Sequence, residues 1–397
     1  MNDIEVQKSG SAGEVFLAFL KLGLTSFGGP IAHLGYFHDE IVTRRRWIGE
    51  SAYGDLVALC QFLPGPASSQ VGFALGLWRA GPLGALAAWA GFTLPSAIFL
   101  VLFALGAGAL DGPVAQGVLQ GLKIVAVAVV AQAVWGMARS LTPDLQRAGI
   151  ALVAIVVVIA LAGSAGQVVA IVFGGLAGVV LCRGPAIPVT HVMRFPVSPL
   201  AGAICLLVFG VLLVGLPLLA TVGGQEIVLF DAFYRAGALV FGGGHVVLPL
   251  LDAETVATGW VSKDSFLAGY GATQAMPGPL FTFAAYLGTV SNGIAGAVIA
   301  LVAIFLPGLL LLVGTLPFWD GLRGKPMAQA AMRGANAAVV GILAAALYDP
   351  VWTNAILGPI DIALAVAGFV ALVLWKVPPW IVVFALALGG GALGLMR

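Results

Sequence analysis

Two short strings in this chain combine helix-breaking residues with uncharged hydrogen-bonding groups, and both occur twice. Gln61 precedes Pro64-Gly65-Pro66, which Ser68 and Ser69 follow; Gln274 precedes Pro277-Gly278-Pro279, which Thr282 follows. Upstream of each lies a glycine cluster in an apolar run. The first is Gly28-Gly29-Pro30, with Thr25 and Ser26 before it and His33 after; the second is Gly242-Gly243-Gly244 with His245. Proline lacks an amide hydrogen and clashes with the preceding turn, so each Pro-Gly-Pro ends one helix and suits the start of another. A helix start carries unpaired N–H groups and a partial positive charge, which together make an anion site. A sodium or metal site would call for carboxylates, and these strings have none.

The substrate-binding candidates are therefore Gly28, Gly29, Pro30, Gln61, Pro64, Gly65, Pro66, Ser68 and Ser69 in the first half of the chain. In the second half they are Gly242, Gly243, Gly244, His245, Gln274, Pro277, Gly278 and Pro279. Lys21, Arg235 and His33 are candidate charge partners, and Glu50 and Asp55 candidate coupling groups. Structural alternatives stand beside these roles. The glycines and prolines also suit tight packing, the hydroxyls their own backbone, and Lys21 and Arg235 an interfacial anchor. Asp39, Glu40, Glu50 and Asp55 equally suit solvated pairing with Arg44-Arg45-Arg46.

These strings sit in a chain of 397 residues that is 60% hydrophobic and 9% charged. A soluble domain carries about 25% charged residues. Apolar runs of about 20 residues recur, long enough to cross a bilayer core, and they are continuous rather than alternating, so helices rather than barrel strands are expected. The net charge of +1 argues against a nucleic-acid partner. Cys60, Cys182 and Cys205 lie in apolar stretches without CxxC spacing, so neither a metal nor a cofactor is expected. Met1–Gly13 lacks the basic-then-apolar order of a signal peptide. No HExxH, GxSxG or paired intramembrane aspartates appear, which speaks against an enzyme.

The duplication extends further. Phe16-Leu17-Ala18-Phe19 with Lys21 and Gly23 matches Phe230-Asp231-Ala232-Phe233 with Arg235 and Gly237; Trp47 matches Trp260 and Leu94-Pro95 matches Leu306-Pro307. The expected fold is an all-α polytopic membrane protein of two inverted-topology repeats, each with six membrane-embedded segments. Repeat one covers 1–196, a linker helix 197–224 (apolar over 199–220), and repeat two 225–397. The first repeat's segments fall near 15–36, 54–78, 83–106, 114–138, 148–164 and 166–182; the second's near 228–250, 265–290, 294–317, 332–349, 353–374 and 378–395. One crossing between two even-numbered halves turns the second upside down. The first two segments of each half either cross fully or enter and return on one side. Re-entry keeps Arg44–Arg46 with the other basic loops and the acidic 252–264 loop on the opposite side.

At these residues the sequence resembles the chromate ion transporter family in its long-chain, two-domain form. The resemblance rests on Phe27-Gly28-Gly29-Pro30 with His33, Arg45-Arg46-Trp47 and Gln61 ahead of Pro64-Gly65-Pro66. Its second-half counterparts are Phe241-Gly242-Gly243-Gly244-His245, Trp260 and Gln274 ahead of Pro277-Gly278-Pro279. It implies a multi-pass bacterial inner-membrane protein that exports chromate, giving resistance, or in some members handles sulfate. Its partners would be a small inorganic oxyanion and the lipid bilayer, with a homodimer admitted as an assembly. An oxyanion channel and a sulfate uptake transporter are the alternatives.

Overall fold

The computed structural model describes residues 10–107, 112–161, 163–183, 195–241, 243–319, 321 and 325–396. Gly242 and loop residues Asp111, Arg194 and Arg323 lie outside these. All regular structure among the described residues is helical. Six stretches are long and apolar enough to cross a membrane: Ala67–Gly106, Pro113–Leu141, Ser164–Leu181, Pro199–Ala220, Leu280–Phe318 and Pro326–Ala355.

The segments expected at 15–36 and 54–78 are each two helices. α1 (Ala12–Thr25) is capped by Ser11, whose hydroxyl accepts from the Glu14 N–H. Its 14 residues rise about 21 Å, too short to cross. The chain turns at Ser26–Gly28 into α2 (Gly29–Phe37), which continues as the π-helix His38–Arg44. This return limb lies along α1: the Phe19 and Phe37 rings are 5.4 Å apart, and Lys21 Nζ is 2.7 Å from Glu40 Oε2. A second hairpin joins α3 (Glu50–Phe62) to the first limb of α4 (Ala67–Ala107) through Pro64-Gly65-Pro66. Its return limb ends beside the start of α1. The Gly10 N–H donates to the Arg79 carbonyl (3.0 Å), Arg79 bonds Glu14 (3.2 Å), and its guanidinium stacks 5.1 Å from the Trp47 ring. Both hairpins therefore start and end at one place.

α4 reverses at Ala80 and Gly81, and its second limb runs back along α1. Then come α5 (Pro113–Leu141), α6 (Leu145–Ala160), α7 (Ser164–Leu181) and α8 (Pro199–Ala220). α8 occupies the expected 199–220 segment, begun by Ser198, whose hydroxyl accepts from the Ala201 N–H. One stripe of it, Leu200, Ile204, Leu207, Val211, Val214 and Leu218, is exposed, as suits a face turned to lipid.

The second half repeats the plan. α9 (Gln225–Ala238) leads through a 3-10 turn, Gly244–Val246, to α10 (Val247–Leu251) and the π-helix Asp252–Val256. α11 (Lys263–Thr273) pairs with the first limb of α12 (Phe283–Thr315) across Pro277-Gly278-Pro279. The α12 reversal at Asn292 and Gly293 has φ, ψ of −150°, 34° and 60°, −153°. The α4 reversal at Ala80 and Gly81 has −142°, 25° and 66°, −158°. Smaller details repeat too: the Trp47 N–H donates to the Ile41 carbonyl at 3.0 Å, and the Val261 N–H to the Thr255 carbonyl at 3.1 Å, which sets Trp47 against Val261, one residue past the Trp260 expected from the sequence. α13 (Pro326–Ala346), α14 (Pro359–Val373) and α15 (Pro379–Met396) complete the chain.

Small residues let these helices touch through their backbones. α5 meets α15 at Gly117 and Gly121 against Leu386 and Gly390; α7 meets α13 at Gly174 and Gly178 against Gly334. Lipid tails give apolar helices no incentive to associate, so close van der Waals contact at such seams must hold the bundle. The two reversals depend on the same device, with Gly76 against Gly84 and Gly288 against Gly296. We expect Gly76→Val and Gly288→Val each to destabilise the fold by about 1–3 kcal/mol, the usual cost of overpacking. Thermal unfolding in detergent measures this. Gly210→Ala on α8, where an added methyl meets nothing within 4 Å, should leave the midpoint unchanged.

Candidate functional site

The four breaks meet at the centre of the molecule, and each half completes the other's backbone. The Gly278 N–H donates to the Ser26 carbonyl at 2.9 Å, and the Gly65 N–H donates to the Val240 carbonyl at 2.7 Å. Ser26 and Val240 are equivalent positions in the repeat, as are Gly65 and Gly278. Each half thus threads its Pro-Gly-Pro loop against the glycine break of the other. Gly65 and Gly278 have φ of 116° and 96°, where a side chain would be strained. A methyl on Gly278 would also press on Phe92 and Ser96, and one on Gly65 on Gly308 and Gln70.

At one crossing the fit leaves a cavity of about 60 Å³, enough for about two waters at the ~30 Å³ each takes in the liquid. The first half lines it with Gly28, Gly29 and Pro30; the second with His245, Thr273, Gln274 and Gly278; α5 adds Val129 and Gln132. The buried Gln274 carboxamide nitrogen makes no well-formed hydrogen bond, although the Tyr270 side chain lies within reach of it. The His245 ring is oriented by a 2.7 Å bond between Nδ1 and the Tyr270 hydroxyl. The hydroxyls of Ser26, Ser69 and Thr93 are also buried without partners around the breaks. Buried donors without acceptors are costly, and a ligand that accepts hydrogen bonds would relieve that cost.

The equivalent crossing is filled by a side chain. There the Gln70 amide donates to both the Pro64 and Gly308 carbonyls at 2.9 Å, filling the space beside Gly65. His33, fully buried, has Nδ1 3.3 Å from the Ser68 hydroxyl. Of the residues expected at the site, Gly28, Gly29, Pro30, His245, Gln274 and Gly278 come together around the open cavity. Gln61 is exposed on α3 and does not line it; Pro64, Gly65, Pro66, Ser68 and Ser69 belong to the filled crossing. Gly244 packs beside Pro30, Pro277 and Pro279 shape the loop around Gly278, and Gly243 lies at the break itself.

The charged candidates lie outside the cavity lining, Lys21 and Arg235 bridging the two limbs of their hairpins. Lys21 pairs with Glu40, which also binds Arg44 Nη1 (3.1 Å) and Arg45 Nε (2.8 Å). Arg235 pairs with Glu254 and Asp231, all at 3.0 Å. Lys21–Glu40 and Arg235–Glu254 are the same pair in the two repeats. Glu40 was expected among solvated charges, but it is buried and binds cations from three directions. Burial opposes its ionisation, yet hydrogen bonds from Lys21, Arg45 and Arg44 outweigh this and bring its pKa down to about 2. Glu50 binds His38 at 2.7 Å and raises that imidazole's pKa, and Asp55 is half-buried on α3 away from the cavity. Gln70, Gln132 and Tyr270 went unnoticed in the sequence. Gln70 lies four residues past Pro66, one helical turn on, which is the signal that marks it.

Discontinuous helices meeting at a shared polar cavity inside a multi-pass apolar bundle define a polytopic membrane protein of the transporter type. The chain belongs to the chromate transporter family, whose profile matches residues 13–179 and 227–394, one span in each half. It is 30% identical over 391 residues to the chromate transport protein of Pseudomonas aeruginosa, covering 95% of this chain and 90% of that one. It is also 30% identical over 334 residues to a probable chromate transport protein of Synechococcus elongatus, covering 83% and 82%. An uncharacterised transporter of Bacillus subtilis matches 42% of this chain at 31% identity, but 96% of its own length. No solved structure matches the chain.

Glu40→Gln should cost about 1–3 kcal/mol, between the values for buried and surface pairs because its cations are partly exposed. The folded pKa of about 2 lies below the ordinary 4.5. The contribution is therefore complete above pH 4.5 and fades as pH falls towards 2. Melting temperature followed over that range should drop in the wild type, and the Glu40→Gln protein should lack this part of the drop.

Proposed function

We propose that this protein is a secondary transporter moving chromate, or a similar tetrahedral dianion such as sulfate, across the bacterial inner membrane. The observation that carries this reading is the cavity at the crossed breaks, uncharged and lined by two carboxamides, with the Gln274 nitrogen lacking a partner, in a chain of the chromate transporter family. A dianion with four oxygens would take hydrogen bonds from the Gln274 and Gln132 carboxamides, with His245 and the glycine backbone shaping the pocket.

The same reading takes the halves as inverted repeats, 1–196 and 225–397, joined by the 197–224 linker helix. Four hairpins enter and return on one side. Nine stretches then cross: the second limb of α4, α5 to α8, the second limb of α12, and α13 to α15. That count gathers Arg44–Arg46, Arg139, Arg147, Arg183 and Lys376 on one side, taken as cytoplasmic. Glu226, Asp252, Glu254, Asp264 and Asp349 gather on the other. The open cavity and the crossing filled by Gln70 are then two ends of one alternating-access cycle. In the opposite-facing state Gln61, Pro64, Gly65, Pro66, Ser68, Ser69, Gly243 and Gly244 take the role now held by the open crossing. Basic charge at the cytoplasmic mouth raises the local dianion concentration there and speeds loading from that side, and efflux giving resistance is the direction we assign.

Everted vesicles supplied with labelled chromate or sulfate, with and without an imposed pH gradient, test the reading. Uptake above empty-vector vesicles is expected, and Gln274→Ala should lower it at least tenfold at unchanged membrane levels. Absence of uptake for both ions would remove the assignment, and unitary currents in a planar bilayer would replace it with a channel.

A further inference from the structure

One large cavity takes no part in the break site. It lies around the N-terminal end of α5 and encloses about 930 Å³. α5 lines it with Gln116, Gln120 and Lys123, spaced so as to share one helix face, and α11 and α12 add Asp264, Ser265 and Thr289. The break cavity lies further along the same two helices, at Gln132 on α5 and at Gln274, which caps the C-terminal end of α11. Nine residues of α5 separate Lys123 from Gln132, about 13.5 Å at 1.5 Å per residue. The two cavities are in line.

Lys123 is the one cation among the described residues lining this cavity, and its side chain is only 11% exposed. Its Nζ binds Asp264 Oδ1 at 2.9 Å, while the Asp264 side chain is 75% exposed in the first turn of α11. A second acid among the described lining residues is committed elsewhere: Asp361 Oδ2 accepts from the backbone N–H groups of Leu357 (2.9 Å) and Gly358 (3.1 Å). The Gln120 amide is likewise committed, to the Ala355 carbonyl at 2.7 Å. A cation withdrawn from water needs an anion beside it. Asp264 supplies one from a position where water can solvate it once it lets go. Ser265, bonded to the Ser262 hydroxyl at 2.9 Å, brings a hydroxyl to the same cavity that a tetrahedral oxyanion can use, whereas the Thr289 hydroxyl donates to the Ala285 carbonyl at 2.7 Å.

We propose that Lys123 is a second anion station, for a tetrahedral oxyanion, and that Asp264 is its built-in occupant when no oxyanion is there. An ion leaving the break cavity displaces Asp264 from Lys123, rests there, and is released when Asp264 returns. Two weak stations in line allow exit where one strong site would trap the ion. The proposal deepens the transport reading and rests on it.

The experiment labels the purified full-length protein in detergent with an amine-reactive reagent and follows Lys123 by mass spectrometry, with chromate or sulfate as the probe. Asp264→Asn should speed labelling several-fold, and either oxyanion should slow it again. In proteoliposomes, Lys123→Gln should raise the half-saturation concentration about tenfold on the Asp264 side and leave Gln274-dependent binding unchanged. If Lys123→Gln fails to fold, Lys123→Arg, which keeps the charge, should restore both folding and near-normal half-saturation. Labelling that no oxyanion slows in Asp264→Asn, while Gln274-dependent binding persists, overturns the station and leaves the transport reading standing. Protection of Lys123 in a protein that carries neither ion upholds the station and overturns transport.

Discussion

Two backbone hydrogen bonds, from Gly278 to Ser26 and from Gly65 to Val240, are what the rest of the structure depends on. A Pro-Gly-Pro inside an apolar segment frees backbone groups by removing amides and interrupting the helix ladder. In water these groups would be solvated at little cost. In a bilayer core each unsatisfied group costs several kcal/mol, so broken helices survive there only when protein or a water-filled cavity meets the break. Here the other half of the chain meets it. One half alone would leave its Pro-Gly-Pro amide and its glycine-break carbonyl without these partners. Duplication is therefore part of the chemistry of the site.

That constraint accounts for the architecture around it. Limbs such as the 14-residue α1 and α9 are too short to cross and must return, and in each hairpin a cation on the first limb meets a buried acid on the return limb. Lys21–Glu40 and Arg235–Glu254 are these pairs, at equivalent positions. The glycine seams at Gly76–Gly84 and Gly288–Gly296 then close the sharp reversals that lead into the long limbs. Hydrogen bonds fix the tips, ion pairs the limbs, and small residues the turns.

Much of this was legible from residue spacing. The breaks, the duplication, the linker helix and most of the segments follow from apolar run length and from proline and glycine, which act locally. What escaped the sequence depends on contacts between the halves. Gln70 fills one crossing by reaching the Gly308 carbonyl, 238 residues away, and no local pattern announces that bond. Its counterpart in the repeat is a phenylalanine, Phe283, which makes no such bridge. Glu40 and Glu254 were read as loop charges because each follows an apolar stretch. Only the return of the chain along its own first limb buries them. Lys21 and Arg235 were weighed as substrate partners or anchors for the same reason: pairing across a hairpin cannot be seen until the direction of the turn is known.

The charge is distributed unevenly on an otherwise repeated scaffold. In the first hairpin Lys21, Arg44 and Arg45 surround one acid, Glu40; in its equivalent Arg235 faces two, Asp231 and Glu254. One cluster is thus net basic and the other net acidic, while the cavity has no formal charge among its lining residues apart from what His245 can acquire. For a doubly charged ion this division has a physical logic. A fixed lysine or arginine inside a small, poorly hydrated cavity would attract a dianion with twice the strength it shows a monoanion, and the ion would be slow to leave. Amide and hydroxyl donors can replace its hydration without that excess. Full charges placed between the hairpin limbs still set the potential at each mouth and steer ions towards one of them. On the transport reading, the repeat supplies two equivalent doorways and the mismatch in charge distinguishes them.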